Sequence, residues 1–478
     1  MRRGKLVSVY LLLLAAMVPA SLTHAFADDA AACVSGATPV DERIAACTRV
    51  INSGRWKGRN LAWAYENRSI AYHDKGNADR AKADFDQAMK LDPSRADEAS
   101  CTDMSGDAAI AACTRVISSG THHGPELAHV FLNRGIEYKA QDNYDRAIED
   151  FNEALRLRPD YANAYSQRAE CYKAKGDFDQ AIAGYNEAIR LNPNFPDAFD
   201  GRGDAYRSKD DFDRAIADYS EAIRIDAKNA VYYDDRGIAY RRKGDYDRAI
   251  ADYSEAVRLD PKYAAAYNNR GYAYYIKKDY DRAVADYNEA IRIDPKYARA
   301  LDNRGDAYKA KHDYDRAVAD YSEAIRLSPK DDAYYYDRAG AYEGKKDYDH
   351  AIADLSDAIQ LDSKNADYFN SRCWDRAISG GDPNRALADC NESVRLRPDD
   401  SNTLNSRGLV QFRLGAFREA LTDYDASAKL NAKDAGSLYG RGMAKLKMGD
   451  SVGGNADIAA AKALKADVAE VYAGYGVK

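Results

Sequence analysis

Residues 235–264 read DRGIAYRRKGDYDRAIADYSEAVRLDPKYA, and residues 269–298 read NRGYAYYIKKDYDRAVADYNEAIRIDPKYA, the same pattern 34 residues on. A fixed period of this length predicts a solenoid, a stack of like units in which each covers the apolar face of the next. With position 1 placed at Ala230, position 20 is alanine in ten copies, from Ala81 to Ala420. Position 24 lies four residues along the same helix face and is aromatic at Phe85, Phe151, Tyr185, Tyr219, Tyr253, Tyr287, Tyr321 and Tyr424. Position 8 is small, as at Ser69, Gly135, Gly237, Gly271 and Gly442, which suits a helix pressed against a second one. Two antiparallel helices per unit follow, with Asp residues such as Asp247 as expected N-caps and Asp260-Pro261 as a stop.

Small residues at 8 and 20, aromatics at 11, 17 and 24, alanine at 27 and proline at 32 resemble the tetratricopeptide repeat family, from about Ala62 to the C-terminus with a break near 96–127. The resemblance implies an all-α, right-handed superhelical solenoid. Departures are local: position 32 is Ala227, Ser363 and Ala432 in three copies, and the copy from Ala366 carries one extra residue. The expected organisation is a cleaved signal over 1–27, a cysteine-bearing helical segment over 28–61 and a first repeat over 62–95. A second cysteine segment over 96–127, about ten repeats over 128–468 and a C-terminal cap over 469–478 complete it.

The signal rests on Arg2, Arg3 and Lys5, an apolar run from Leu6 to about Ala20, and Ala25-Phe26-Ala27. It implies a periplasmic or secreted protein with no membrane insertion after cleavage. A net charge of −7 and a pI near 5.7 provide no general attraction to nucleic acid or anionic lipid. Nucleic acid is therefore not expected as a partner.

Cysteine placement agrees with export. Cys47 and Cys113 both sit in the string IAACTRVI, and Cys33 precedes Cys101 by 68 residues, two repeat lengths, so a stapled unit is duplicated. Cys373 replaces the small residue at position 8 and Cys390 the aromatic at position 24. Those positions touch, which brings the pair within disulfide reach. Three bonds of one design are expected, Cys33–Cys47, Cys101–Cys113 and Cys373–Cys390. Cys171, at position 10, reads as a small buried residue.

Little in the chain points to catalysis or a cofactor. No CxxC, phosphate loop or nucleophile motif occurs, and His122, His123 and His129 fall at one loop without the spacing of a metal site. Neither enzyme activity nor a metal or other cofactor is expected. Arg at position 7 recurs with Asp at 23, from Arg68 with Asp84 to Arg304 with Asp320, and predicts an ion pair joining the two helices of each repeat. Arg168 is the exception, since Gly184 stands where its Asp would be.

In tetratricopeptide proteins the first helix of each repeat lines the binding groove through positions 2, 5, 9, 12 and 13. By that resemblance the groove residues here are Asp200, Asp204, Asp234, Ile238, Arg241, Arg242, Tyr272, Tyr275, Ile276, Asp302 and Asp306. Aspartates stand where the family's clamp for a C-terminal carboxylate needs positive charge. The expected partner is instead a protein or peptide with aliphatic anchors near basic residues. The function implied is a non-catalytic interaction scaffold or adaptor in the cell envelope, and the alternative is a periplasmic glycan or small-ligand binder. The oligomeric state is open. Trp374, Leu409, Phe412, Met443 and Leu446 fall at or beside groove positions; exposed, they would mark a second contact surface, and the expected alternative is that the segment from Val468 to Lys478 folds over them as a cap.

Overall fold

The computed structural model describes residues 24–93, 97, 100–102 and 104–477. Residues 1–23, which carry most of the expected signal, lie outside them, and helix His24–Val34 runs through the expected cleavage site at Ala27. The described chain is helical throughout, and it divides into two compact units, one ending at Ala227 and one beginning at Lys228. After the pair Ala62–Asp74 and Ala78–Leu91, ten further pairs follow among the described residues, from Gly124–Ala140 with Tyr144–Leu157 to Ala435–Lys447 with Ser451–Leu464.

Local chemistry sets the pair boundaries. In the repeat from Ala264, the first helix ends at Ile276 and Lys278 takes a left-handed φ of 63°. Asp279 then caps the second helix, Tyr280–Ile293, by accepting from the Arg282 N–H at 3.2 Å. The cap is therefore two residues earlier than the sequence suggests. Asp245, not Asp247, accepts from the Arg248 N–H at 3.1 Å, because the helix already begins at Tyr246. Asp247 lies in the first turn, where it suits the helix dipole and pairs with Lys277.

The second helix packs through its position-24 ring. A methyl group added at Gly271 would sit 2.8 Å from the Tyr287 ring, and one at Gly237 would sit 2.6 Å from Tyr253. Glycine at position 8 is thus what lets these tyrosines be completely buried, at ~2–3 kcal/mol of hydrophobic stabilisation each. Phe85 departs from the pattern and is 42% exposed. Among the described residues no later helix packs on its repeat as the helix carrying Gly201 packs on Tyr185.

The Arg of position 7 joins three helices rather than two. Arg270 grips Asp286 with Nε at 2.8 Å and Nη2 at 2.7 Å, and its Nη1 donates to Ser254 in the preceding repeat at 3.1 Å. The same fork holds Asp218 on Arg202 and Asp320 on Arg304, with Nη1 reaching Asn186 and Asn288. It continues beyond the pairs read from the sequence, at Arg338, Arg372, Arg407 and Arg441. Arg168, without an Asp of its own, still donates to Asn152 at 2.6 Å.

That third contact gives the cysteine segments their place. Arg68 donates to Thr48 and Arg134 to Thr114, each at 3.0 Å, so helices Val40–Asn52 and Asp107–Ser118 stand where the second helix of a preceding repeat would stand. Cys47 bonds Cys33, Cys113 bonds Cys101, and Cys390 bonds Cys373, with Cα atoms 4.7, 4.8 and 5.4 Å apart.

Two expectations follow. Arg270→Ala leaves Asp286 buried without its cation and costs about 3 kcal/mol or more, lowering the thermal midpoint, whereas Arg292→Ala, in an exposed pair with Glu289, leaves it unchanged. Replacing Cys373 and Cys390 by Ser costs about 3 kcal/mol by loop-closure entropy, and a peptide map without reductant recovers the two cysteines linked in the unaltered protein.

Candidate functional site

Successive first helices touch along one face. In the second unit, the Arg241 guanidinium lies over the Tyr272 ring at 5.3 Å, Tyr272 is 6.4 Å from Tyr275, and Tyr275 is 5.6 Å from Tyr280, centre to centre. Ile238 is half-buried beside Tyr253 and Ala273, while Ile276 and Arg242 are exposed. These groups form a strip of rings with an aliphatic edge. Asp234 does not belong to its surface: it is buried, and it accepts from Asn269 Nδ2 at 3.0 Å and from the Tyr263 hydroxyl at 3.3 Å. A short carboxylate at position 5 is close enough to tie one first helix to the next.

Carboxylates adjoin the strip. Asp306 accepts from the Tyr321 hydroxyl at 2.8 Å, and Lys309 stands between Asp306 at 2.9 Å and Asp337 at 3.1 Å. Burial would lower the pKa of this lysine, but Asp306 and Asp337 outweigh it and hold the charge in place. Asp302 is left over. One of its oxygens has no hydrogen-bond partner, and burial, with Asp337 and Asp306 nearby, pushes its pKa up to about 8. Asp337, at position 6, was not legible as a site residue because it arrives from the neighbouring repeat.

The first unit repeats this motif on a smaller scale. Asp204 accepts from Lys173 at 2.8 Å, Arg207 at 2.5 Å and the Tyr219 hydroxyl at 2.9 Å. Burial opposes its charge, yet Lys173 and Arg207 hold its pKa below the usual range. Asp200 has a free oxygen, and burial beside Asp204 pushes it up to about 7. Aspartate at position 9 thus serves the tyrosine of position 24, whereas aspartate at position 5 can be left unpaired. Tyr185 and Tyr287, whose repeats lack an Asp at position 9, keep hydroxyls without partners.

A different carboxyl pair, a buried Asp375 beside a half-buried Glu343, lies in the second unit. Asp375 is fully buried at position 10, where the four preceding repeats have Ala239, Ala273, Ala307 and Ala341. Both of its oxygens are without a hydrogen-bond partner, and Arg376 pairs with Asp389 instead. Burial first, then Glu343, pushes Asp375 up to about 8.

The C-terminal helix, Val468–Gly474, packs on both helices of the last repeat, and Tyr472 and Tyr475 reach the first helices of the two repeats before it. The Tyr472 hydroxyl donates to Asn405 Oδ1 at 3.0 Å, its ring is 5.3 Å from Tyr439, and Tyr475 meets the edge of Trp374 at 5.3 Å. Leu409 and Phe412 are buried, and Met443 packs against the same cluster. Trp374 is the expected residue that the segment meets, and Leu446 packs instead against Gly454. The segment leaves the end of the stack open, however, with Val452 86% and Leu464 49% exposed on the last second helix.

Of the three histidines, His129 accepts or donates at the Tyr161 hydroxyl, 2.6 Å away, and His122 meets Thr121 at 3.0 Å. Cys171 is buried, and burial pushes its thiol up to about 11.

Family models for the tetratricopeptide repeat match residues 64–95, 138–202, 235–298 and 333–365, and models described as TPR repeat match 203–242 and 305–346. Together they span more than half of the chain. The chain belongs to the tetratricopeptide repeat family. No curated protein matches this tetratricopeptide chain. Among solved structures, a crystal structure of MamA protein is 28% identical over 35% of this chain and 92% of its own, with a TM-score of 0.33. YrrB, titled a TPR protein with an unusual peptide-binding site, is 23% identical over 42% of this chain and 99% of its own, with a TM-score of 0.34. A tetratricopeptide repeat protein from Parabacteroides merdae is 18% identical over 59% and 98%, with a TM-score of 0.38. Among the described residues, no helix of this chain is long and apolar enough to cross a membrane.

Buried Asp375 carries a pH dependence. An exposed carboxyl titrates near ~4, so the folded chain binds the Asp375 proton more tightly than the unfolded chain does. Its stabilising effect is complete below that value and is lost as pH rises through about 8. Asp375→Asn is expected to flatten the fall in thermal midpoint between pH 5 and pH 8.5 relative to the unaltered protein.

Proposed function

We propose that this chain is a non-catalytic protein-interaction scaffold whose first-helix face, from Ile238 to Asp337, takes a partner segment with apolar side chains beside a lysine or arginine. Asp302 carries the reading. Asp302 is half-buried, one of its oxygens is buried without a partner, and it stands beside two carboxylates that share a single Lys309, so a cation arriving at this cluster relieves its repulsion. Tyr272, Tyr275 and Ile276 supply the adjoining apolar contact. Arg241 covers one face of Tyr272, which argues against that ring as an open platform for a sugar. The three disulfides support a working place outside the reducing cytoplasm, in the periplasm or beyond the cell. A scaffold or adaptor in the cell envelope fits both features.

Binding of peptides that alternate Leu or Tyr with Lys or Arg, followed by fluorescence anisotropy, tests the reading. Affinity is expected to strengthen from pH 6 to pH 8.5 as Asp302 loses its proton, and to weaken with salt. Asp302→Asn should weaken it about tenfold, equivalent to ~1.4 kcal/mol, and Tyr272→Ala with Tyr275→Ala should remove it. Equal binding by the unaltered and both altered proteins would move the site off this face.

A further inference from the structure

We propose that the first helices of the last three repeats form a second binding site, for a short helical segment presenting two aromatic side chains three residues apart, and that the chain's own C-terminal segment holds this site closed. The tail occupies the positions that line the first-helix face elsewhere. Trp374 is at position 9 of its repeat, and Asn405 and Tyr439 are at position 5 of theirs, corresponding to Tyr272 and Asp302 in the strip described above.

The contact has the character of a ligand in a prepared seat. Tyr472 is 3% exposed, its hydroxyl is satisfied by Asn405, and a methyl group on Gly436 would come within 2.5 Å of that hydroxyl, so glycine there makes the room. Val468 and Val477 anchor the two ends of the segment, 2% and 0% exposed.

The segment is also separable from the fold. The segment touches the last second helix, Ser451–Leu464, through the cluster that holds Ala461, but it leaves Val452 and Leu464 on that helix exposed, as a full end cap would not. The Arg and Asp forks end at Arg441 with Asp457, before the tail begins. Only Lys465–Asp467 connects the tail to the last repeat, in extended and turn conformations that can swing without unwinding a helix. A few apolar anchors must offset the ordering of about ten residues, which keeps docked and undocked states close in free energy.

A partner segment of the same chemistry therefore competes with the tail. A tail tethered by so short a link acts at an effective concentration of about 1 mM, which weakens any competitor of micromolar affinity.

A fluorescein-labelled synthetic peptide of residues 466–478 is the probe, titrated into the full-length protein and into full-length Tyr472→Ala, Tyr475→Ala protein, with circular dichroism showing that both are folded. The altered protein is expected to bind the peptide at least tenfold more tightly, and adding Gly436→Val to it should abolish binding by filling the hydroxyl's seat. A chain ending at Lys465 should behave as the double variant does. Failure of both tail-altered proteins to bind the peptide would show that the segment is a permanent part of the fold and overturn the proposal. So would equal binding by altered and unaltered proteins, or binding that survives Gly436→Val, because the peptide would then sit elsewhere.

Discussion

The guanidinium of position 7 is the contact on which the stack depends. Its Nε and Nη2 fix the second helix of its own repeat through a buried aspartate, and its Nη1 reaches the second helix of the repeat before. One planar group therefore sets both the geometry within a pair and the spacing to the next pair. Desolvation makes the pair costly, and burial leaves the pKa of Asp286 raised even beside Arg270. Its contribution is better described as specifying one packing than as net stability, with the bulk of the stabilisation coming from the buried rings of position 24.

Those rings and the fork divide the work along each pair. The ring demands glycine or a similarly small residue opposite it, and where Cys373 and Cys390 replace that contact a covalent bond spans the same gap. The two N-terminal staples follow the same logic. Each begins a run of repeats with a helix that accepts the next Arg through a threonine, so the stapled hairpin provides the first surface on which a full repeat can stack.

With the framework held this way, the first-helix face is free to vary, and it does so mainly in how carboxylates are satisfied. Asp234 bridges two helices, Asp204 and Asp306 serve a buried tyrosine and a lysine or arginine, Asp302 and Asp200 keep a buried oxygen without a partner, and Asp375 is buried beside Glu343. The same residue type has four different roles within a few positions of one another. At the C-terminal end the face is covered by the chain itself, through tyrosines rather than charges.

The period, the helix pairing, the Arg and Asp forks and the three cysteine pairs could be read from the linear chain, because each is a short-range regularity repeated until chance is excluded. Family resemblance also singled out the first-helix face. Tertiary structure alone decided which carboxylates on that face are open, since Asp337 reaches Lys309 from another repeat and Asn269 closes Asp234 from the next one. It also decided that helix caps fall at Asp245 and its equivalents, and that Phe85 is exposed where its counterparts are buried. The tail shows the difference most clearly. Apolar residues near a terminus suggest a cap, but where the tail's tyrosines come to rest depends on Asn405, Gly436 and Trp374, and residues up to 101 apart in the chain meet only in the folded stack.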